Sequence, residues 1–116
     1  MNEFYIKKAA VPRSAKNSPQ LRESLANWGT DRLLHIVDSC KDSQDIYRKE
    51  FGRIHARYAN MTFLITETVP DKRLAYTAET LLHWLEEDFE HATTGAQKDA
   101  AGLCGAELLK ILKLYS

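Results

Sequence analysis

The chain reads as all-α, a small bundle of four to five helices preceded by a flexible N-terminal arm. Three observations predict it. Apolar residues recur at alternating spacings of three and four, which holds them on one stripe of a helix and off any single face of a strand. Proline, glycine and capping residues fall between the periodic segments. The length of 116 residues suits one domain, large enough to bury roughly two thirds of its unfolded surface without metal or crosslinks. The expected division is an arm over residues 1–17 and a single helical domain over 18–116.

The arm carries Lys7, Lys8, Arg13 and Lys16 against Glu3, with Phe4, Tyr5 and Ile6 clustered near its start. It has no helical period. It is expected either to be a tail or to dock its apolar trio on a partner or on the body. Ser18 and Pro19 form a cap and first-turn proline. With Leu21, Leu25 and Trp28 on one face and Gly29 as a stop, a first helix is expected over 19–28. Thr30 is expected to restart the chain as a cap, with Leu33, Val37 and Cys40 next on the stripe.

That stripe stays in phase through Gln44 into a central helix ending near residue 68. One long helix over 30–68 is therefore conceivable, but Asp42, Ser43 and Asp45 are turn and cap residues, and they favour a break around Gln44. The main seam of the central helix is Tyr47, Phe51, Ile54, Tyr58, Met61 and Ile65. A second seam, Gly52, Ala56, Ala59 and Phe63, lies roughly 140° to 160° further round at about 100° per residue. Its small side chains suit close approach of another backbone, and Phe63 is an aromatic anchor at its end. Val69 and Pro70 end this helix.

Asp71 is expected to cap the next helix, whose face is Leu74, Ala78, Leu81, Leu82, Leu85 and Phe89. Thr94 and Gln97 match a capping box that opens a last helix to about residue 114. Its face is Ala100, Cys104, Leu108, Ile111 and Tyr115, broadened by Leu103 and Leu112. Gly102 and Gly105 within it imply close helix contact or a bend.

Charge balance, apolar run lengths and missing motifs narrow the function. Sixteen basic and sixteen acidic residues give zero net charge, so no global field draws the chain to nucleic acid or an anionic membrane. Lys49, Arg53 and Arg57 form a basic stripe on the central helix, thickened by Arg48. It is a small footprint, interrupted by Glu50 and open to neutralisation by Glu86, Glu87, Asp88 or Glu90. A nucleic-acid-binding transcriptional regulator using that stripe is the alternative reading, and the charge balance weighs against it. No apolar run reaches the length of a signal-peptide core or a transmembrane helix. Cys40 and Cys104 fall on apolar faces, where free cysteine is a small hydrophobe, so a reducing, cytoplasmic setting is expected.

Glu79, His83, Glu87 and His91 share one edge of the third helix at intervals of four. Metal ligands in a bundle come from facing helices, so no metal is expected. No Gly-rich phosphate loop, nucleophile elbow, CxxC pair or HExxH motif occurs, and neither catalytic residues nor a cofactor are assigned. Trp84 sits at the border of its helix's apolar stripe, a structural flank or a binding hot spot.

The expectation is thus a non-enzymatic regulatory or inhibitory protein. It would mask a larger partner protein through helix faces and self-associate as a homodimer. The candidate contact residues are Gly52, Ala56, Ala59, Phe63, Trp84, Phe4, Tyr5 and Ile6.

Overall fold

The computed structural model describes residues 18–37, 40 and 44–115. The arm of residues 1–17, with Phe4, Tyr5 and Ile6, lies outside them. Four α-helices account for most of the rest: α1 Pro19–Asp31, α2 Ile46–Thr68, α3 Asp71–Glu90 and α4 Gly95–Leu114, with a π-helical turn Arg32–Val37 continuing α1. No strand occurs among the described residues.

Capping chemistry sets most of the ends. Ser18 accepts a hydrogen bond from the Leu21 amide at 3.0 Å, with Pro19 in the first turn. Asp45 accepts one from the Tyr47 amide at 2.9 Å. That cap gives α2 its own start and excludes one continuous helix over residues 30–68. Thr94 accepts from the Gln97 amide at 3.1 Å, while the Gln97 side chain turns back to the Thr93 amide at 3.0 Å. Pro70 breaks the chain between α2 and α3.

Two expected boundaries are corrected. Helix α1 does not stop at Gly29 and restart at Thr30; it runs through both into the π turn. Gly29 has no positive φ, so it does not reverse the chain. It makes room instead, because a Cβ there would lie 3.1 Å from the Ala59 carbonyl oxygen of α2. Asp71 is not the cap of α3 either. It is the first helical residue, behind Pro70, which has no side chain able to cap, and its carboxylate is engaged by Arg22.

The most extensive packing runs from α1 to α2, from α2 to α4 and from α4 to α3, while the sequential pair α2 and α3 touches only lightly. The molecule is accordingly flat, 41 × 29 × 18 Å. Helix α2 thus packs on both α1 and α4, which also touch each other. At about 100° per residue, its buried positions Ile54, Tyr58, Thr62, His55, Ala59 and Gly52 fill one continuous arc of about 160°. The main seam is one edge of that arc and the second seam is the other.

The expectation that the second seam faces a partner is corrected on this point. Gly52 and Ala59 are buried within the chain itself, Gly52 against Cys40 and Ala59 against α1. In an up-and-down bundle a helix meets two neighbours at nearly a right angle, and one broad stripe serves both. Here too the buried residues form one broad arc, on which α1 and α4 both pack while touching each other, so the two seams are its two edges.

Candidate interaction surfaces

The least anticipated feature is polar. His55 is fully buried on the flank between the two seams. Its Nδ1–H donates to the Phe51 carbonyl oxygen at 2.9 Å, and its ring lies 4.1 Å from that of Phe51 and 6.3 Å from that of Trp28, centroid to centroid. Across from it, Glu107 of α4 accepts the Trp28 indole N–H at 2.7 Å and pairs with Arg32 at 3.0 Å. His55 Nε2 is 3.8 Å from the same carboxylate oxygen, beyond direct hydrogen-bond range.

Burial pushes the Glu107 carboxyl up, but His55, the Trp28 indole and Arg32 together pull further the other way and hold it below the ordinary carboxylate value. The cluster joins α1, α2 and α4. Trp28 and Arg32 are one turn apart, but His55 and Glu107 come from distant parts of the chain; the only signal was a histidine on a helix flank.

Tyr58 follows the same logic on the other side. Its hydroxyl donates to Asp88 of α3 at 2.5 Å, and burial followed by that carboxylate pushes the phenol well up. Burial likewise pushes up the Cys104 thiol, with Glu107 adding to it. The nucleophilic thiolate is therefore disfavoured there, and both Cys40 and Cys104 are buried.

Of the sequence-derived site residues, Ala56 is half-buried and Phe63 is 43% exposed, at the open end of the second seam. The basic stripe is largely consumed. Arg53 pairs with Glu50 at 2.7 Å and Arg57 with Asp88 at 3.6 Å, while Lys49 has no ion pair among the described residues. Of the acids expected to reach across the bundle, Asp88 does so. His83, Glu87 and His91 stay along α3, where His91 Nδ1–H donates to the Glu87 carbonyl oxygen at 2.8 Å. No group of three or more His, Cys, Asp or Glu able to hold a metal ion forms among the described residues. None of the described helices is long and apolar enough to cross a membrane.

Among the described residues, one aromatic face and two grooves stand out at the surface. Tyr76 and Trp84, 68% and 48% exposed, stand on the outward side of α3. A groove of about 380 Å³ lies between the start of α2 and α4, bordered by Tyr47, Phe51 and Leu103. A second groove, of about 310 Å³, lies between α1 and the end of α2 and includes Phe63. Tyr47, placed in the main seam by its spacing, is 55% exposed, because it borders the open groove beside the start of α4. Compared with known protein families, with curated proteins and with solved structures, the chain matches none.

Proposed function

We propose that this chain is a non-enzymatic regulatory or inhibitory protein that occupies a helical surface of a larger protein, with the outer face of α3 as its contact. One observation carries the reading. Arg73, Tyr76 and Trp84, the three residue types that dominate binding hot spots, are all exposed on that face, within about three turns of one another. Between them, the Thr77 hydroxyl donates to the Arg73 carbonyl oxygen at 2.8 Å and the Thr80 hydroxyl to the Tyr76 carbonyl oxygen at 3.1 Å. These hydroxyls are already satisfied, so covering them leaves no donor stranded. The face between the aromatic rings is cheap to desolvate.

Affinity capture from native cytosol tests this with Tyr76→Ala and Trp84→Ala beside the parent chain. Each truncation is expected to weaken the complex by about 2 kcal/mol or more, roughly 30-fold, with the thermal melt unchanged. Equal capture by all three proteins would remove α3 from the reading. Self-association through the same face is the homodimeric form of the proposal, and mass in solution separates it from a hetero-complex.

A further inference from the structure

We propose that the groove between α1 and the end of α2 is the seat of the chain's own N-terminal segment, with the apolar trio Phe4, Tyr5 and Ile6 against Phe63 and the adjoining lysines against its acidic walls. The floor of the groove is apolar, made by Ala26 and the half-exposed Phe63, and Pro19 forms its end. Its walls carry Glu23 and Glu67, neither of which has an ion pair among the described residues.

Arg22 also lines the groove but does not balance them. Its guanidinium is spent on Asp71 at 2.6 Å and on the Thr66 and Val69 carbonyl oxygens, each at 2.6 Å. The groove is therefore apolar at its centre with two uncompensated carboxylates. The chemistry that fits is a short apolar stretch flanked by cations.

Residues 1–17 have that composition. Phe4, Tyr5 and Ile6 run directly into Lys7 and Lys8, and Arg13 and Lys16 outweigh the single acid, Glu3. The segment also enters the described structure beside the groove, since Ser18 precedes Pro19. From Ile6 to Ser18 an extended chain spans up to about 40 Å, more than enough to turn back along α1. Attachment also sets an effective concentration of about millimolar for a short tether. A contact too weak to persist between separate molecules is thus populated within one, and any outside occupant must outcompete it. Because the paired charges lie at the surface, salt screens the contact.

The test uses the full chain carrying Asn2→Cys with a nitroxide on the new thiol; the native Cys40 and Cys104 are buried, so the label goes to position 2. Amide signals of Ala26, Phe63 and Glu67 are expected to lose intensity several-fold relative to the reduced label. They should recover in high salt and in a variant combining Glu23→Lys with Glu67→Lys. Broadening centred instead on Tyr47 and Leu103, or spread evenly over the molecule, would overturn the proposal. So would broadening that arises when spin-labelled chain without isotope is mixed with isotope-labelled chain without spin, because the occupant would then be a second copy.

Discussion

Gly52 shows how little room a single position can leave. An alanine Cβ there would sit 2.7 Å from the Cys40 Cβ, and neither atom is the far end of a flexible side chain. Replacing a mid-helix glycine by alanine ordinarily gains about 1 kcal/mol, whereas overpacking a filled core costs about 1 to 3. The second effect should win. Gly52→Ala is expected to lower Tm by several degrees in a thermal melt; an unchanged or higher Tm would show that Cys40 yields instead.

Glu107 carries the clearest titration at this scale. Its folded carboxyl is held below the ordinary 4.5, so its ionised form contributes stability that is fully present above that value. The contribution disappears as pH falls through the depressed one. Denaturant melts across the acid range should therefore show a fall in stability that Glu107→Gln flattens. Parallel acid limbs in the two proteins would assign the fall to other carboxylates.

Between elements, Arg22 does what no helix face does. It takes two carbonyl oxygens left over at the end of α2 and the first-turn carboxylate of α3, tying α1 to the corner around Pro70. Such carbonyls have no partner within their own helix. A planar guanidinium reaches several acceptors at once where an ammonium acts as a point charge. Arg22→Lys is expected to cost about 1 to 3 kcal/mol, measured by denaturant unfolding. A loss near zero would mean that water serves the corner equally well. Two residues further along α1, Ser24 and Tyr115 share a hydrogen bond of 2.7 Å, which fastens α1 to the end of α4.

For the whole molecule, the position of α2 matters most. It packs on α1, the π turn and α4, and more lightly on α3, so damage to its buried arc cannot stay local. Ala59 is fully buried. Ala59→Arg puts a bulky charge where the α1 backbone sits, at a cost of several kcal/mol, against a total stability for a domain this size of about 5 to 15. Loss of helicity by circular dichroism is expected. A variant that keeps its helicity and only changes its mass in solution would place this face in an assembly rather than in the core.

The sequence by itself determined the helical class, most helix ends, the apolar faces of α3 and α4, and the presence of two packing edges on α2. Those properties rest on neighbours within a few residues: caps bond amides two or three positions away, and the 3.6-residue turn sorts side chains without reference to the rest of the fold. Tertiary structure alone decided what covers the second edge, that Gly29 makes space rather than ending a helix, and that His55, Glu107, Trp28 and Arg32 converge. Spacing gives the angle of a side chain around its own helix and not the identity of the helix opposite. A polar residue such as His55 or Thr62 looks solvated until a neighbour closes over it, and the packing of α1 and α4 on α2 and on each other is what closed that flank.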